Sequence, residues 1–101
     1  EDYVSSVNEI LDNEVPSSID WEAGTPFGTE VRFQVRAADN KKDLTDIEWQ
    51  GPNGKDTWYK KSGSKIKNLN GKYIQYRARL ITPNGAGTPY LTSVTISSDV
   101  K

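Results

Sequence analysis

The sequence predicts an all-β fold, an antiparallel two-sheet β-sandwich of about seven or eight strands. Three observations predict it. Turn-forming clusters recur at short intervals, at Asn13, Pro16, "AGTPFG", "ADNKKD", "GPNGKD", "KSGS", "NLNG" and "TPNGAGTP". Between them lie short runs rich in Val, Ile, Tyr, Trp and Thr, and the longest of these alternate apolar and polar residues with period two. At 101 residues, the chain has room for one modest core and hence for a single domain, residues 1–101.

In chain order, Tyr3 to Val7 reads as the first strand, and Glu9 to Glu14 reads either as an eighth strand or as a helical turn. Ser18 to Ala23 sets Ile19, Trp21 and Ala23 on one side, with Asp20 and Glu22 on the other. Glu30 to Ala37 turns Val31, Phe33, Val35 and Ala37 inward and Arg32, Gln34 and Arg36 outward. Asp46 to Gln50 offers Ile47 and Trp49 to the core, with Asp46 and Glu48 outside, and Thr57 to Lys61 follows. Lys72 to Ile81 directs Ile74, Tyr76, Ala78 and Leu80 inward and Tyr73, Gln75, Arg77 and Arg79 outward, and Leu91 to Ser97 adds Val94 and Ile96. Trp21, Trp49 and Tyr76 are accordingly expected in the core, where burial at roughly 25 cal/mol per Å2 makes three large aromatics decisive for so short a chain.

Composition narrows the chemistry. Cysteine, histidine and methionine are all absent, which excludes disulfides, thiolate or imidazole metal sites, and Ser-His or Cys-His nucleophilic pairs. No apolar run approaches the roughly 20 residues a membrane span needs, so no membrane insertion is expected. The opening "EDYVSS" suggests a domain excised from a larger protein. Net charge is −1, yet residues 1–30 hold eight acids and no base while residues 61–101 hold seven bases and one acid. That asymmetry marks either an electrostatic partner or neutralisation between first and last strands.

The stretches "IDWEAGTPFGTEVRFQVRAADN", "IEWQGPNG" and "NGKYIQYRARLITPNGAGTPYLTSVTI" carry a resemblance. From Ser18 to Ile96 the chain resembles a family of small extracellular jelly-roll-like β-sandwiches found in bacterial and archaeal surface and secreted proteins. The carrying residues include Trp21, Gly28, Phe33 to Arg36, Trp49 to Pro52, Tyr73, Gln75 to Arg77 and Val94 to Ile96. The resemblance implies a jelly-roll-like sandwich, an extracellular or cell-surface location, and an accessory or adhesion role, carbohydrate-binding in some members. It implies no catalytic residues.

Two Gln-x-Arg-Ala strands with the same facing supply the main candidate site. If they share a sheet, Arg32, Gln34, Arg36, Tyr73, Gln75, Arg77 and Arg79 form a planar grid of donors. Such a grid suits a polysaccharide or other glycan, because Gln and Arg pair with hydroxyls or carboxylates and an aromatic ring stacks on a pyranose. Alternatively, Asp20, Glu22, Asp46 and Glu48 pair with these arginines as a solvated ladder.

A second candidate is "TWYKKSGSKIKNLNGK", where Trp58 and Tyr59, facing opposite ways, border Lys60, Lys61, Lys65, Lys67 and Lys72. One of the two rings is expected to be exposed and to suit an anionic polysaccharide; the other reading makes the lysines guards of an edge strand. A pI near 5.4 argues against nucleic acid as the main partner.

Lesser signals point to structure. The carboxylates of Asp20 and Glu22, or Asp46 and Glu48, share a strand face, but so small a domain leaves little wall for a glycosidase cleft. Asp39, Asn40 and Asp43 form an oxygen-rich loop of the kind that holds a structural Ca2+, though an Asx turn accounts for the same residues. "GAG" after Pro83 reads as a turn, and no cofactor is expected. The sequence thus predicts a non-catalytic extracellular accessory module that binds glycan weakly. Its alternative is a structural or adhesion domain contacting neighbouring domains or copies of itself.

Overall fold

The two Gln-x-Arg segments are adjacent strands. In the computed structural model, which describes residues 2–25, 28–67, 69–82 and 89–100, Glu30–Ala38 (β4) and Tyr73–Ile81 (β6) pair antiparallel over their whole lengths. Alternation then does what the sequence leads one to expect. Val31 stands opposite Leu80, Phe33 opposite Ala78, Val35 opposite Tyr76 and Ala37 opposite Ile74, all on the inner face.

Five further strands complete two antiparallel sheets: β1 (Asp2–Val4), β2 (Asn8–Glu9), β3 (Glu14–Gly24), β5 (Ser64–Lys65) and β7 (Tyr90–Val100). One sheet holds β6 between β4 and the short pair β1 and β2; the other holds β3 between β5 and β7. From β2 onward every connection changes sheet, as in a jelly-roll-like sandwich.

Between the sheets lies one apolar cluster. Ile19, Phe33, Val35 and Ala78 are fully excluded from solvent, and Trp21 of β3 lays its ring 4.4 Å from that of Phe33 across the gap. Tyr76 continues the stack at 5.8 Å from Phe33. Ile10, Tyr59, Ile66 and Leu69 also enter this cluster from irregular segments, where no alternation announces them.

Three expectations need correction. Asp46 to Gln50 is no strand: Lys41–Asp46 forms a 3-10 helix, anchored by buried Leu44, and only Gln50 bridges to Val35. Thr57 to Lys61 likewise reduces to a bridge between Tyr59 and Phe33. Finally, Tyr3 to Val7 breaks after Val4, because the Ser5 hydroxyl accepts the Tyr76 N–H at 3.0 Å in place of a backbone carbonyl. The turns expected at "AGTPFG", "NLNG" and "TPNGAGTP" fall partly outside the described residues.

Candidate functional site

Register places the polar residues as the matched patterns require. Across β4 and β6, Gln34 stands opposite Arg77, Arg36 opposite Gln75 and Arg32 opposite Arg79. Each mixed pair closes with two hydrogen bonds. The Arg77 guanidinium donates to Gln34 Oε1 from Nε at 2.9 Å and from Nη2 at 2.5 Å. Arg36 donates to Gln75 Oε1 from Nε at 3.0 Å and from Nη2 at 2.8 Å.

The two glutamines then reach in opposite directions. Gln34 Nε2 donates to the Thr57 carbonyl at 2.7 Å, beyond the β4 edge, and Gln75 Nε2 donates to the Ser5 carbonyl at 2.8 Å, beyond β6. Arginine–glutamine pairs therefore clamp both segments that flank the central strands. Gln34 is only 2% exposed, so its amide is fully committed inside the structure.

Aromatic rings cover the arginines. Gln50 and Tyr59 hydrogen-bond along the outer edge of β4, and the residues just before them, Trp49 and Trp58, lie over the polar face. The Arg36 guanidinium carbon lies 4.1 Å from the Trp49 ring centre. Arg77 is 5.3 Å from Trp49 and 5.0 Å from Trp58, and Arg79 is 4.5 Å from Trp58. The result is an alternating column, Arg36, Trp49, Arg77, Trp58, Arg79, with a cation against a ring at every step. This corrects the placement of Trp49 in the core; Ile47 beside it is half-buried and outside the core cluster. Tyr59, at 1% exposure, takes the inward position.

The expected carboxylate partners are also corrected. Asp20 and Glu22 belong to β3 in the other sheet, while Glu48 lies 3.9 Å from Lys55. Arg79 instead chelates Asp2 through Nε and Nη2 at 2.8 and 2.9 Å, and Arg32 turns to Glu30 at 2.8 Å. Tyr73 stands at the end of the face, outside the column, with the Lys41 and Lys72 ammonium groups 5.7 and 5.9 Å from its ring.

Electrostatics divide the face in two. The Arg79 hydrogen bond holds the Asp2 carboxyl below its usual value, and Asp2 in turn raises Arg79. Burial lowers Arg36 and Arg77, and at Arg36 the neighbouring Arg77 charge acts the same way. Their hydrogen-bond partners on the face are neutral amides; the Asp2 charge partly offsets burial at Arg77, whereas no carboxylate acts on Arg36 among the described contacts.

Other candidates resolve structurally. Asn40 donates its side-chain amide to Asp43 at 3.2 Å and its carbonyl accepts the Asp43 N–H, a local turn that opens the 3-10 helix. Lys65 lies on β5. The two largest described grooves, of about 690 and 420 Å3, lie beside Pro16 and Asn70 and beside Trp21 and Lys60, and include none of the eight candidate residues. No family model, curated protein or solved structure matches the chain.

Proposed function

We propose that the protein is a non-catalytic structural or adhesion module of an extracellular or cell-surface protein, working through contacts with neighbouring domains or copies of itself. One observation carries this reading. The arginines that a sugar-binding face would present are occupied on their edges by Gln34, Gln75, Asp2 and Glu30, and on their faces by Trp49 and Trp58. Side chains held in this way fasten the strands of a sheet to its flanking segments. Binding a glycan there would have to displace internal partners and leave buried polar groups unmet.

A second reading rests on Arg36, the cation of the column on which no described carboxylate acts. Arg36 keeps its charge beside the neutral Gln75 amide, which favours a carboxylated or sulfated glycan resting on the half-buried Trp49 and Trp58 rings. A glycan-array or affinity-gel screen at two salt concentrations, with tryptophan fluorescence in parallel, separates the two. Under the structural reading no polysaccharide is retained. Salt-sensitive retention with a fluorescence change that depends on Trp58 would replace it with the glycan reading.

A further inference from the structure

The sandwich has four strand edges, and three carry devices that prevent pairing with another chain. The edge of β4 is occupied by Gln50 and Tyr59, which bond to Val35 and Phe33 in both directions. On the β6 side, β1 and β2 are short, are separated at Ser5, and carry Asp2 and Glu9. Beyond β3, the edge is closed by two-residue β5 with Lys65, and by Ser62, whose hydroxyl accepts the Trp21 N–H at 2.8 Å and donates to the Trp21 carbonyl at 2.9 Å. Interruption, charge and covering are the usual protections of an edge.

β7 is neither short nor, among the described residues, covered, and the one register shift against β3 that adds a residue on its side falls near its start, between Leu91 and Ser93. It runs eleven residues, "YLTSVTISSDV", with no proline and Asp99 as its one charge. Among the described residues it pairs on one side only, with β3. We propose that this free edge is a self-association surface, on which a second copy of the chain pairs antiparallel through its own β7 and joins two three-stranded sheets into one of six. The proposal rests on the structural reading above and names the surface through which it acts.

Charge selects the occupant. A neutral edge offers nothing to attract a charged foreign strand, and a net charge of −1 sets little long-range repulsion between copies. Self-pairing also keeps the lone acids apart: in an antiparallel register centred on Thr95 or Ile96, the two Asp99 residues are separated by roughly 20 Å or more, beyond the screening length at physiological salt. Apolar fit agrees. An open groove of about 310 Å3 runs along the inner flank of β7, with Ile10, Ile74, Tyr76, Val94 and Ile96 in its wall beside polar residues that include Glu9. Opposed residues in an antiparallel pair face the same side, so Val94 and Ile96 of a second copy would point towards this groove. The contact is narrow, which places it among weak, concentration-dependent associations.

Sedimentation velocity from about 10 µM to about 1 mM protein reads the association directly. The wild-type chain is expected to shift from monomer to dimer across that range. T95K is the matched variant: Thr95 stands opposite Asp20 on β3, so the lysine gains a partner within the fold, while two copies would face each other near the dimer axis. It should weaken dimerisation by at least about tenfold while leaving the thermal midpoint unchanged. A wild-type monomer throughout, or a dimer insensitive to T95K, would overturn the proposal. The glycan screen reports separately on the structural reading, since a monomer that retains no glycan removes only the β7 contact.

Discussion

Arg77 and Gln34 are held to one another as a closed unit: the amide oxygen of Gln34 takes two guanidinium N–H groups, at 2.9 and 2.5 Å, and its nitrogen passes on to the Thr57 carbonyl. The pair joins β6 to β4 and β4 to the segment carrying Trp58. A buried amide with all these partners is a structural fastening.

Replacing Gln34 with leucine, which keeps its bulk, leaves the guanidinium and the Thr57 carbonyl unpaired. Urea unfolding should show a loss of about 2 kcal/mol. Arg77→Lys should lose much of the same stability, because an ammonium cannot direct two N–H groups to the one amide oxygen while stacking between rings. A change below about 0.5 kcal/mol for Gln34→Leu would assign the pair no structural weight.

The Arg77–Trp58 contact should appear as a coupling. A double-mutant cycle on Arg77→Ala and Trp58→Ala is expected to return about 0.5–1 kcal/mol beyond the sum of the single changes. Strict additivity would mean that the 5.0 Å approach is proximity without attraction.

Acid should release the β1 strand first. Asp2 has a folded-state pKa depressed chiefly by the Arg79 hydrogen bond, so its contribution is fully present above the ordinary carboxylate range. It is lost as pH falls below 3.8 through the depressed folded value. The pair is partly exposed, at 42% and 36% for its two side chains, so the contribution is on the order of 0.5 kcal/mol after screening. Denaturation midpoints measured downward from pH 5 should fall less steeply in Asp2→Asn than in the wild type.

Gly51 is required by a close approach. A β-carbon there would overlap the Thr57 carbonyl, the same group that accepts the Gln34 amide. Gly51→Ala should push the segment bearing Trp58 and Tyr59 from the β4 edge and cost about 2 kcal/mol. The fluorescence of Trp58, isolated in a Trp21→Phe, Trp49→Phe background, should shift to longer wavelength. An unshifted spectrum with wild-type stability would show that the segment tolerates the displacement.

Period-two alternation was informative wherever strands are long and half-buried. It found β4 and β6 to within a residue at each end, together with the facing of their side chains, and the equal Gln-x-Arg patterns correctly implied neighbouring strands. The same rule misplaced Trp49, because "IEWQ" alternates without being a strand: the 3-10 helix ending at Asp46 resets the facing, and Trp49 emerges over Arg36. Ile66 and Leu69 were missed for a related reason, since burial in an irregular segment depends on where its ends are tied. The Arg79–Asp2 pair joins residues 77 positions apart, and no local pattern could select Asp2 over Asp20 or Glu48.

The pairings of β1 with β6 and of β3 with β7 tie the first quarter of the chain to its last third. Closing loops of that length costs entropy before any contact compensates it, so folding should be slow for a domain of this size. During synthesis, β3 emerges early and finds its full-length partner only when residues 90–100 follow. Until those residues follow, the strand that carries Trp21 lacks its full-length partner and the partly made sheet is open to misassembly.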